Sequence, residues 1–140
     1  MSACNLIKDY GPVTGRILLS LIFILSGFNK INGWDGTLGF MASKGIPMTE
    51  IFLALTIAIE LGGGLMIAFG LYARWAAVAL FLFLIPVTLL FHPFWADPEQ
   101  MNSFLKNVAI MGGMLYIMTY GSGSYSIKEA PCERRERDRF

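Results

Sequence analysis

Four apolar runs, each close to the length of a bilayer-spanning helix, limit what this chain can fold into more than any other feature. They cover about residues 13–31, 49–69, 72–91 and 103–120. A helix needs roughly 20 residues to cross the hydrocarbon core. Backbone polar groups in lipid must bond internally, so such runs fold as helices. They are continuously apolar rather than alternating, which excludes a β-barrel. The expected fold is all-α: an integral membrane four-helix bundle in one domain that uses nearly all of the 140 residues. Only 15% of residues are charged, against about a quarter in soluble domains, and they gather between the runs. Asn29, Lys30 and Trp34 come after the apolar core of the first run, with no small-residue cleavage site. That run is therefore expected to stay in the membrane rather than leave as a signal peptide.

Positive charge sets the expected orientation. Lys8, Arg16, Arg74, Lys128, Arg134, Arg135, Arg137 and Arg139 fall on one side, and Lys30, Lys44 and Lys106 on the other. The positive-inside rule then places the N- and C-termini in the cytoplasm. Trp34 and Trp95 mark the outer interface, and Tyr72, Trp75 and Tyr120 the inner one. Cys4 and Cys132 are the only cysteines, and on the cytoplasmic side they are expected to stay reduced. The tail PCERRERDRF mixes both signs and reads as a charged cytoplasmic extension. The first outer connection, GWDGTLGFMASKGIP, is long enough for a short helix on or in the membrane surface. The second, HPFWADPEQMN, is placed to cover the bundle mouth from the same side. Pro86 inside the third run predicts a kink there.

Glu60 is the residue that points to chemistry. It lies near the middle of the second run. A carboxylate at that depth costs several kcal/mol unless a partner, water or a proton relieves it, so an ionisable group there is a functional candidate. Thr56, Gly63 and Gly64 share its helix face. The plainer alternative is a protonated packing acid bonded to a neighbouring helix. Ser26, Asn29 and Lys30 close the first run, His92 follows the third, and Lys106 and Asn107 begin the fourth. With Asn29 and Lys30, the groups His92, Lys106 and Asn107 form an expected polar, positively charged vestibule above Glu60, suited to an anionic ligand or a quinone head group. At about 1.5 Å per residue, Lys30 sits well above Glu60, so no direct ion pair is expected without tilt or water. Arg16 reads as an interfacial anchor.

Other chemistries find little purchase. One histidine in the chain cannot supply paired haem ligation. Met111, Met114 and Met118 recur at helical spacing and read as packing. No metal-ligand cluster, P-loop, dinucleotide fingerprint or serine-nucleophile motif is present in the sequence. No metal is expected, and nucleic acid is not an expected partner.

Taken in order, GRILLSLIFILSGFNKI, GTLGFMASKGIP, AIELGGGLMIAFG, ARWAA, LLFHPFW and SFLKNVAIMGGMLYI resemble the DoxX family of small bacterial inner-membrane proteins. The resemblance covers about residues 15–127. Arg16, Ser26, Gly27, Lys30, Glu60, Gly63, Arg74, His92, Asn107 and Gly112 fall on positions that recur in it. It implies a multi-pass protein of the bacterial cytoplasmic membrane. It also implies a quinone-associated or accessory role in a redox or oxidative-stress system, with a partner redox subunit or a homo-oligomer. Quinone is then the one cofactor expected. Glu60 would be the catalytic acid, with Ser26, Asn29, Lys30, Glu60, His92 and Asn107 binding the ligand. Two other readings stand beside it. One is a non-catalytic assembly protein held by membrane lipids and partners. The other is a small proton-coupled transporter acting as an oligomer.

Overall fold

In the computed structural model the apolar runs are helices whose ends are set by identifiable residues. It describes residues 2–128; Cys132 and the mixed-charge tail lie outside them. The order is α1 (Ala3–Asn32), α2 (Trp34–Ser43), α3 (Thr49–Phe69), α4 (Ala73–Phe91), a 3-10 turn (Pro98–Gln100) and α5 (Met101–Tyr120). Apart from one isolated β-bridge, all regular structure among the described residues is helical.

α1 begins well before its apolar run. Ser2 caps it, its Oγ accepting from the Asn5 N–H at 3.4 Å. Pro12 lies inside the helix and does not end it. Its ring packs where a Cβ on Gly123 would fall, at 2.5 Å. At roughly 1.5 Å per residue α1 is about 45 Å long, more than the hydrocarbon core, so its polar first turns extend beyond the lipid. The chain then turns at Gly33, whose N–H bonds Asn29 O at 2.8 Å. The expected short helix follows at once as α2. α3 ends at Gly70, which adopts φ +67°, a left-handed conformation that glycine takes without a Cβ clash. The Leu71 N–H returns to Met66 O at 2.8 Å and closes that end.

α1, α3 and α4 are each long and apolar enough to cross a membrane. α5 has the length, 20 residues, but Asn102, Lys106 and Asn107 dilute its first turns. α1 packs on α3, α3 on α4 and α4 on α5, while α2 lies against α3 and touches α1. The core sits along α4, where Ala73, Ala76, Ala77, Leu80 and Leu84 are buried against Ile67 of α3 and Met114 and Ile117 of α5. Outward faces stay apolar, with Leu18, Leu25 and Phe28 on α1 and Leu82 and Leu89 on α4 exposed. In lipid those faces need no cover.

The three consecutive glycines of α3 each face a different way, as about 100° per residue requires. A Cβ on Gly64 would sit 3.0 Å from Ile24 of α1, and one on Gly63 3.0 Å from Leu80 of α4. Gly62 faces open space. From the α1 side, a Cβ on Gly27 would fall 2.6 Å from Leu61 Cγ. Position 27 thus meets 61 while 24 meets 64, so α1 and α3 run antiparallel with backbones held close by small residues.

The far end of the bundle is tied by the segment after α5. Leu71 and Lys128 form the isolated bridge, with the Tyr72 N–H donating to Lys128 O at 2.7 Å. Arg16 corrects its reading as an interfacial anchor, because it is 4% exposed. Its Nη1 donates to Ser122 O at 2.9 Å and its Nη2 to Tyr125 O at 3.2 Å. A Cβ on Gly70 would collide with the guanidinium. The planar fork of arginine reaches two carbonyls at once, which turns a surface-type residue into an internal tie.

Candidate functional site

Lys30 and Glu60 meet directly. Lys30 Nζ lies 2.9 Å from Glu60 Oε2 and 3.1 Å from Oε1. Ser26, one turn before Lys30, completes the cluster. Its Oγ accepts from Lys30 Nζ at 2.6 Å and donates to Glu60 Oε1 at 3.3 Å. The side chain of Glu60 is 8% exposed and that of Lys30 24%. This overturns the expectation that axial distance keeps the two apart. Every Cα–Cβ bond in a helix tilts toward its own N-terminus. α1 and α3 are antiparallel, so Lys30 leans down toward mid-helix while Glu60 leans up toward it. Rise per residue alone misses that convergence. The pairing also answers the desolvation problem, since opposite charges with shared hydrogen bonds can stay ionised away from water.

Lys30 and Glu60 of the cluster form the floor of a cavity of about 190 Å³. Thr56, one turn before Glu60 on α3, and Thr37 of α2 add hydroxyls to its wall. Phe83, Val87 and Phe91 of α4 supply one apolar side, and Phe40 and Met41 of α2 another. The Phe40 and Phe91 rings are 5.5 Å apart, so α2 closes onto the end of α4. The connection between α1 and α3 therefore folds over the site as a cover. His92 lines the same cavity as the residue that ends α4. Its Nδ1 is 2.8 Å from Oε1 of Gln100, which the 3-10 turn presents. Asp97 starts that turn by accepting from the Glu99 N–H at 3.1 Å.

The expected vestibule divides. Ser26, Lys30, Glu60 and His92 come together. Asn29 is exposed and lines a shallow groove beside the cluster with Ser26 and Lys30. Asn107 is buried elsewhere, donating from Nδ2 to Thr88 Oγ1 at 3.1 Å and joining α5 to α4. Lys106 is exposed and does not line the cavity. Sequence reasoning did not single out Gln100, Phe83 or Phe91. Gln100 carried a weak signal, the PEQ that follows Asp97 in a Pro-rich connection. The phenylalanines read like any lipid-facing residue until the α2 cover is in place.

The chemistry available is that of a pocket lined by an ion pair, aromatic side chains and one imidazole. The DoxX family model matches residues 11–93, a stretch that includes Ser26, Lys30, Glu60 and His92. The chain is 38% identical over 121 residues to the inner membrane protein YqjF of Escherichia coli (strain K12), covering 86% of this chain and 92% of that one. It is 33% identical over 117 residues to the inner membrane protein YphA of the same strain, covering 80% and 84%. Over 78 residues it is 38% identical to the protein named "Putative oxidoreductase CatD" of Bacillus subtilis (strain 168), covering 55% and 56%. No solved structure matches the chain.

Proposed function

The chain belongs to the DoxX family and is a multi-pass protein of the bacterial inner membrane, and from that premise we propose that it is a redox-accessory subunit holding a quinone head group above Glu60. One observation carries the reading: a buried acid, paired to a lysine, lies at the base of a ring-sized, aromatic-walled cavity. An apolar cavity of about 150 Å³ can hold benzene, so about 190 Å³ has room for a substituted six-membered ring. When bound, such a group supplies a two-electron, two-proton couple. Glu60 would accept a hydrogen bond from the hydroxyl of its reduced form, and Ser26 and Lys30 hold the carboxylate in place. Phe83 and Phe91 of α4 and Phe40 and Met41 of α2 would supply the apolar contacts to the ring. Electron exchange falls to a partner subunit. The oxidoreductase in the name of the Bacillus subtilis relative is in keeping with this reading.

The same proposal places α5 as a fourth span beside α4, with both chain ends in the cytoplasm. Support comes from the packing of α5 along α4 and from the excess of basic residues that the sequence places before the first apolar run, at the start of the third and after the fourth.

A second reading is favoured by the closure of the ion pair on itself. Lys30 and Glu60 join α1 to α3 directly, a structural role of the kind a non-catalytic assembly protein would use. Purification in native lipid particles, followed by mass spectrometry and an ultraviolet-visible spectrum, separates the two. Near-stoichiometric quinone in the wild type, lost from folded Glu60→Gln, is the expected result. Quinone retained equally by the variant contradicts the site. A protein partner at fixed ratio with no quinone in either sample establishes the assembly role instead.

A further inference from the structure

Resting on the quinone-site reading, we infer that the cavity selects the reduced, hydroquinone form of its ligand over the oxidised form, with Gln100 as the positioning residue that makes it do so. The reason is the polarity of the atoms at its two ends. At the floor, Lys30 has three N–H donors. They face Ser26 Oγ at 2.6 Å and the two carboxylate oxygens at 2.9 and 3.1 Å. The Ser26 hydroxyl proton is also committed, to Glu60 Oε1 at 3.3 Å. What the floor has left to offer is the carboxylate, which has lone pairs beyond those three bonds and only accepts.

The rim offers an acceptor as well. Gln100 Oε1 accepts and cannot donate, and it lies 2.8 Å from His92 Nδ1. The proton of a neutral imidazole therefore sits on Nδ1, which leaves Nε2 as an acceptor. On the wall, the Thr37 hydroxyl donates to Gly33 O at 2.9 Å. The Thr56 hydroxyl takes either role and does not discriminate. A quinone brings two carbonyl acceptors to a cavity that is acceptor-rich at both ends. A hydroquinone brings two O–H donors on opposite sides of the ring. An unmade bond at a desolvated polar atom is penalised more than a made one is rewarded, so the difference favours the reduced form.

The test uses the full chain in lipid nanodiscs, with a decyl-substituted benzoquinone and its hydroquinone titrated calorimetrically under anaerobic conditions against empty nanodiscs. The wild type is expected to bind the hydroquinone about tenfold more tightly, the size of one well-made hydrogen bond. The bound couple's midpoint potential should then lie about 30 mV above that of the couple in empty nanodiscs. Gln100→Glu keeps an acceptor at Nδ1 and, at a pH high enough for the ring to carry a single proton, should keep the preference. Gln100→Lys puts a donor there, moves the imidazole proton to Nε2, and should abolish or reverse it. The turn bearing Gln100 is partly exposed, and helicity and elution volume establish that both variants are folded. Equal binding of the two forms by the wild type, or a preference unchanged in Gln100→Lys, overturns the inference and leaves the quinone site standing. Binding of neither form removes both.

Discussion

Glu60 is tolerable at mid-helix because Lys30 and Ser26 are built to meet it, and that dependence is measurable. Removing one partner of a buried pair strands the other charge at about 3 kcal/mol or more, whereas replacing both by apolar groups of similar shape is often close to neutral. Lys30→Met should therefore lower the unfolding midpoint in detergent strongly. Lys30→Met combined with Glu60→Leu should recover most of the loss. Equal destabilisation of single and double variants would mean that the two side chains are not energetically coupled. Arg16 offers a second case at this scale. Arg16→Lys keeps the charge but loses the fork that spans Ser122 O and Tyr125 O. The expected loss is about 1–3 kcal/mol, accompanied by faster proteolysis between residues 121 and 128. Unchanged protection there would show that the segment is held by its backbone bonds to Phe69, Gly70 and Tyr72 and by the Tyr10–Tyr125 stack rather than by Arg16.

Between α1 and α3, small residues decide how near the helices come, and so whether Lys30 reaches Glu60. Gly27→Ala should cost about 1–3 kcal/mol, because its Cβ falls 2.6 Å from Leu61 Cγ, an atom close to its own backbone. Gly62→Ala meets nothing within 4 Å and should be neutral or stabilising by up to about 1 kcal/mol. Comparison of thermal midpoints checks both, and equal effects would contradict the packing described. The helices themselves were legible in the sequence, because an apolar run of bilayer length leaves the backbone no alternative. The short helix after α1 was legible as a possibility from the length and glycines of its loop. The meeting of Lys30 with Glu60 was not legible, since it depends on relative helix direction and on Cβ tilt rather than on spacing within either helix. The burial of Arg16 was hidden for a related reason, as its partners are backbone carbonyls more than a hundred positions away. Asn107 read as a vestibule residue because its end of α5 was identified correctly. Its rotation toward Thr88 depends on packing that no single helix encodes.

For the whole molecule, the proposed sidedness and the proposed ligand are each open to a direct test. If α5 is a fourth span, reporters fused after Met1 and after Phe140 should both read as cytoplasmic. A cysteine placed at Asp35 or Asp97 should label from the periplasm. A periplasmic C-terminal reporter would show that α5 does not cross. On the proposed orientation the cavity, lined by Phe40 and Met41 of α2 and by the paired acid, falls in the periplasmic half. Photoaffinity labelling in native lipid particles with an azido-quinone, followed by peptide mapping, tests whether that cavity is where a ring binds. Adducts on Met41, Phe83 or Phe91, displaced by excess unmodified quinone and absent from folded Glu60→Gln, are the predicted result. Adducts confined to the lipid-facing side chains of α1, such as Leu18 and Leu25, and indifferent to competitor would contradict it.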